Sequence, residues 1–86
     1  SLQEIAEIRS IVLSTVQSHI AKWILEGAID IHKIFPQEKV ERVMKFIQDN
    51  PNDTIGNLKS HFGDAYDFPE LRMLMNHHIW NKKNNN

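Results

Sequence analysis

Apolar residues recur along this chain at helical spacing in five separate runs, and residues that start or stop helices stand between the runs. Ser1-Leu2-Gln3-Glu4 has the Ser-x-x-Glu form of a capping box, in which a hydroxyl and a carboxylate satisfy orphan amides. A short helix is predicted from there, with Leu2, Ile5 and Ala6 on its apolar face and Arg9-Ser10 at its end. Ser14-Thr15-Val16-Gln17 repeats the capping form, and Val16, Ile20, Trp23 and Ile24 give the three-four spacing of a second helix that stops at Gly27. A turn near Ser10 would then bury Ala6, Ile11, Val16 and Ile20 together. Ala28-Ile29-Asp30-Ile31-His32 alternates apolar and polar but is too brief for a sheet, and reads as an extended connector that tucks Ile29 and Ile31 into the core.

Phe35-Pro36 opens a third helix, buried through Val40, Val43, Met44 and Ile47 and ended by Asp49-Asn50-Pro51-Asn52. Asp53-Thr54 caps a fourth, with Ile55, Leu58 and Phe62 inward and Gly63 closing it. Asp67-Phe68-Pro69-Glu70 is a further capping box, leading into Leu71, Leu74, Met75, His78 and Ile79 and ending near Trp80. The expected fold is therefore all-α, with about five helices in two helix-turn-helix units around one core. Residues 1–27 form the first unit, 28–34 the connector and 35–80 the second unit, while residues 81–86 form a disordered tail without an apolar side chain to offset its ordering entropy.

Composition sharpens this picture at three points. A chain of 86 residues forms one small domain, and at that size only roughly 60–65% of the unfolded surface is buried, so the stability margin is modest. The absence of cysteine excludes disulfides and thiolate metal sites and makes an intracellular setting the default, cytoplasm or nucleoid in a bacterium and nucleus in a eukaryote. No apolar run reaches the roughly 20 residues that span a bilayer, and no membrane partner is expected. The net charge of −1 argues against strong binding to nucleic acid, because phosphate neutralisation by Lys and Arg supplies most non-specific affinity. Five histidines add positive charge below about pH 6.5.

The candidate chemistry is that of binding. Ser14, Thr15, Gln17, Ser18 and Lys22 occupy the start and outward positions of the second helix, where hydrogen-bonding side chains without bulk reach base edges or phosphates if the helix enters a groove. Their alternative role is to cap and solubilise an exposed helix. Lys59, His61, Arg72, His77, Lys82 and Lys83 suggest a basic edge, diluted by Asp64, Asp67 and Glu70, with an internal carboxylate or carbonyl as the alternative partner of Arg72. His19 is read as half-buried beside Ile20, and His78 as lying on the apolar stripe with His77 pointing away. Adjacent helical residues point about 100° apart, so His77-His78 does not make a metal site, and the paired His of a zinc helix are absent. Trp23 and Trp80 are core or docking residues first and base-stacking platforms second, Trp80 being the better candidate for an exposed contact. No phosphate-cradling glycine loop, thiol or Ser-His-acid arrangement is present, so no catalysis is expected.

Three stretches carry a resemblance: residues 4 to 31, EIAEIRSIVLSTVQSHIAKWILEGAIDI; 35 to 43, FPQEKVERV; and 61 to 79, HFGDAYDFPELRMLMNHHI. In this order they resemble the helix-turn-helix domain at the C-terminal end of RecQ-type DNA helicases, to which the Werner helicase is related. Ser10 stands where glycine is usual, and Val12-Leu13 where polar residues are common. The resemblance implies an accessory domain that positions single-stranded or junction DNA in repair or recombination, with a further helix before Ser1 and a motor elsewhere in the parent protein. ATP and magnesium would belong to that motor, and this domain itself would hold no cofactor. A protein-interaction module, docking on other helicase domains, is the alternative.

Overall fold

Helices begin where the sequence supplies a cap. In the computed structural model, which describes residues 1–85, Ser1 Oγ accepts the Glu4 amide at 3.2 Å and the Glu4 side chain returns the bond, opening α1, Leu2–Leu25. Thr54 Oγ1 accepts the Asn57 amide at 3.1 Å and opens α3, Ile55–Phe62. Asp67 and Glu70 exchange bonds of 2.9 Å in a second capping box at the start of α4, Phe68–Asn84. Between them α2, Gln37–Asp49, follows Pro36, which lacks an amide to satisfy. Two 3₁₀ turns, Ile31–Lys33 and Gly63–Ala65, complete the order, and the described residues contain no strand. The expected all-helical domain is what is observed, with four α-helices rather than five.

The difference lies in α1. The first unit does not turn at Ser10: one helix of 24 residues replaces the predicted pair. No Gly or Pro interrupts residues 2–25, and serine inside a helix costs only about 0.5 kcal/mol relative to alanine. A turn would instead leave helix-end amides and carbonyls to satisfy and would force a non-glycine residue toward positive φ, which no described residue but Gly27 and Gly63 adopts. The second capping pattern is bypassed accordingly, and Thr15 Oγ1 donates back to the Ile11 carbonyl at 2.9 Å. Ile11 and Val16 are exposed, not buried with Ile20, and Leu2 is 87% exposed.

α1 ends as predicted at Gly27. The Ala28 amide donates to Trp23 O at 2.8 Å and the Gly27 amide to Ile24 O at 3.0 Å, a Schellman closure with Gly27 at φ 78°. The connector is not extended throughout, because Asp30 accepts the His32 amide at 2.9 Å and caps a 3₁₀ turn there. That turn still delivers Ile31 to the core, with Ile29 half-buried against it.

α4 is the centre of the packing and contacts α1, α2 and α3. Its Leu71 and Leu74 are fully buried with Ile24, Ile31, Val43 and Leu58. Tyr66 donates its hydroxyl to the Lys39 carbonyl at 3.0 Å and tethers the turn before α4 to α2. Phe46 stacks on His61 at 4.1 Å and meets Phe62 edge-on at 5.5 Å, joining α2 to α3. Asn76 Nδ2 donates to the Ala21 carbonyl at 2.9 Å, and Trp80 lies over Gly27, so α1 is held only through its C-terminal part. The radius of gyration, 14.2 Å, exceeds the roughly 12 Å of a compact chain this long, because the first half of α1 projects from the body.

Two further expectations change near the end of α4. The helix continues to Asn84, so residues 81–84 are helical, not coil; Asn84 Nδ2 donates to Trp80 O at 2.8 Å, and Lys82 and Lys83 complement the negative helix end. Asn85 caps the helix end, its amide donating to Asn81 O, and Asn86 lies outside the described residues. His77, not His78, is the buried histidine: at 9% exposure it stacks on Trp80 at 6.3 Å and meets His32 edge-on at 5.9 Å. With helices on several sides of α4, burial spreads beyond one stripe, and His78 is only half-buried.

Burial depresses the pKa of His77, the nearby His32 and His78 charges lower it further, and Asp30 opposes them. Burial and then Lys82 depress His78 in the same direction. The unfolded chain therefore binds more protons in mild acid, and the stability these rings contribute is complete above about pH 6.5 and lost as pH falls through their lowered values. The melting temperature is expected to be lower at pH 5 than at pH 7.5, and His77→Gln to narrow that difference; an identical pH dependence in the variant contradicts the assignment. A Cβ at Gly27 would collide with the Trp80 indole nitrogen and reach 2.9 Å from Cε2. Urea unfolding of Gly27→Ala should show a loss of about 2–4 kcal/mol from positive φ plus overpacking, whereas a neutral result would remove Trp80 from this position.

Candidate nucleic-acid interface

The packing of α4 on the C-terminal part of α1 brings together residues 47 or more positions apart in sequence. Ser14, Gln17, Ser18 and Ala21 from α1 and Phe68, Pro69 and Arg72 from α4 line a notch of about 170 Å³. Ala21 is the residue that lets the two helices close at its base, and toward the N-terminus the same side of α1 becomes polar. Four of the predicted contact residues, Ser14, Gln17, Ser18 and Arg72, therefore meet at one place.

Arg72 carries the charge of the notch. Among the described residues it has no carboxylate within ion-pair distance. The carboxylates expected to engage it are occupied, since Asp67 and Glu70 hold one another's backbone amides. An exposed guanidinium beside two serine hydroxyls and a glutamine amide presents several donors to an oxyanion, the donor set that holds a phosphate without reading sequence.

The remaining predicted residues are not drawn to this notch. Thr15 spends its hydroxyl on the helix backbone, and Lys22 is exposed in the last turn of α1. Lys59 donates to the Gly63 carbonyl at 2.7 Å and lies 6.0 Å from the Phe68 ring centre, closing α3. The basic edge does not form as one surface, because His61 stacks on Phe46, His77 is buried, and Arg72 and Lys82 are separated by about 15 Å of helix rise. Lys82 borders a second cleft, of about 410 Å³, with Met44, Ile47, Gln48, Pro51, His78, Asn81 and Asn85, and Lys83 lies on its far side with Ile79. The sequence marks Pro51 only as part of a helix stop and does not mark Gln48 or Asn81, since nothing local signals that the ends of α2 and α4 converge.

The tryptophans exchange their expected roles. Trp80 packs on Gly27 and His77, while Trp23 is 43% exposed and carries a stacked His19 at 5.6 Å. His19 is itself exposed, contrary to the half-buried placement, because it lies on the side of α1 away from α4. No group of three or more His, Cys, Asp or Glu side chains among the described residues is placed to hold a metal ion, and no helix there is long and apolar enough to cross a membrane.

Helices α2, α3 and α4 follow one another across the short joints 50–54 and 63–67. Arg72 lies in the N-terminal part of α4. A family described as the helix-turn-helix domain matches residues 1–75. No curated protein and no solved structure matches the chain. By the family match over residues 1–75, the chain belongs to the helix-turn-helix domain family.

Proposed function

We propose that this domain is a non-catalytic DNA-contacting module in which the notch between α1 and α4 holds a backbone phosphate. The observation that carries the reading is the convergence of unpaired Arg72 with Ser14, Gln17 and Ser18 at the start of the last helix of the unit. Family membership supports DNA as the ligand class. The net charge of −1 makes the contact weak by itself, and tethering to another DNA-bound domain compensates through an effective concentration on the order of millimolar. In the finer reading, supported by the RecQ-like order of motifs, the tethering partner is an ATP-dependent helicase motor, and the module guides single-stranded or junction DNA toward it.

The length of exposed apolar helix in α1 favours a second activity, protein interaction, alongside DNA contact. The two readings separate by location. Titrating single-stranded and forked DNA at two salt concentrations should shift the amides of Ser14, Ser18 and Arg72, with affinity falling as salt rises. Arg72→Ala should weaken binding about five- to tenfold and lower the salt slope by about 0.7–1. Unchanged affinity in that variant, or shifts confined to the cleft near Lys82, would contradict the assignment of the notch.

A further inference from the structure

Phe68 is an aromatic residue that the fold does not use. It is the first residue of α4 and is 51% exposed, outside the core cluster and without a ring partner among the described residues. The apolar positions that staple a capped helix start are those before the cap and at the fourth helical residue. Here these are Tyr66 and Leu71, both buried. A single exposed Phe needs no explanation by itself, but the neighbours of this one give it a use.

Phe68 and Arg72 stand one helical turn apart, which sets their Cβ atoms about 5–6 Å from each other on one side of α4, and both line the notch with Ser14, Gln17 and Ser18. Lys59 Nζ, fixed by its bond to the Gly63 carbonyl, lies 6.0 Å from the centre of the Phe68 ring. The ring therefore sits between two cationic side chains. Glu70 is two residues from both Phe68 and Arg72, so it points about 160° away round the helix, and its carboxylate is bound to the Asp67 amide. An aromatic face beside hydrogen-bond donors and a free guanidinium is a composite surface. A nucleotide offers the complementary one, a flat base joined through a single sugar to an anionic phosphate.

We propose that Phe68 is a stacking platform for one unpaired base whose adjoining phosphate is held by Arg72, so that the notch selects single-stranded over duplex DNA. This rests on the phosphate reading of the notch and adds what Arg72 cannot supply, because a phosphate is common to both forms of DNA. In a duplex the faces of a base are covered by its stacked neighbours, and only its edges reach the grooves. The ring can meet a base face only where the strand is open. Every base has such a face, so the selection is for the unpaired state and not for sequence.

Fluorescence anisotropy with a labelled oligothymidylate and with a blunt duplex of equal length tests this. The intact domain should bind the single strand more tightly. Phe68→Ala should weaken single-strand binding about fivefold or more while duplex binding and the salt slope stay unchanged, and Phe68→Trp should retain it. Helical circular dichroism should persist in both variants, because Phe68 lies outside the core. In the unaltered protein, the Phe68 ring protons should move upfield on adding the strand and stay in place on adding the duplex. Weakening by Arg72→Ala with indifference to Phe68→Ala overturns the stacking role and leaves the phosphate contact standing. Indifference to both variants removes the notch itself, and equal affinity for the two forms of DNA, or an equal loss on both in Phe68→Ala, overturns the selection.

Discussion

The enclosure of α4 by three other helices is the constraint on which the rest of this domain depends. Leu71 and Leu74 are fully buried in a cluster to which α1, α2, α3 and the turn at Ile31 all contribute, so one helix is shared by every part of the core. A side chain on α4 is worth more here than on a surface helix, because its burial removes apolar area on several neighbours at once. The same arrangement limits α1. Only its C-terminal part reaches α4, through Ala21, Ile24, the Asn76 bond to the Ala21 carbonyl and the indole of Trp80 over Gly27.

Function follows from what that limit leaves outside. Where α1 parts from the body, Ser14, Gln17 and Ser18 open the notch with Arg72, while Leu2, Ile5, Ile8, Ile11, Val12, Leu13 and Val16 face water. The proposed phosphate contact therefore sits at the edge of α1 that meets α4. The net charge of −1 makes that proposed contact weak on its own, so it would act beside a tethered DNA-bound partner.

The parts of the fold written in local chemistry were legible in the sequence. The caps at Ser1, Thr54 and Asp67 and the stops at Gly27 and Gly63 stand where residue type demanded them, since each depends on atoms a few positions apart. The turn predicted at Ser10 does not form, because a capping pattern gives no sign of whether a helix breaks before it; without Gly or Pro, and with no surface for Ile11 and Val16 to bury against, continuation costs less. The site was legible by residue and not by arrangement. Ser14, Gln17, Ser18 and Arg72 could each be named, but their meeting depends on where α1 and α4 pack, and the imagined basic edge dissolved because His61 and His77 found aromatic partners instead.

The continuity of α1 and the freedom of its first half are best tested together by NMR. Backbone carbon shifts should be helical without a break from Arg9 through Ser14, and the methyl groups of Ile11 and Val16 should show no contacts to Leu71 or Leu74. Non-helical shifts at Ser10 to Leu13, with Ile11 or Val16 in contact with those leucines, would restore a turn in the first unit and contradict both the notch and the projecting face.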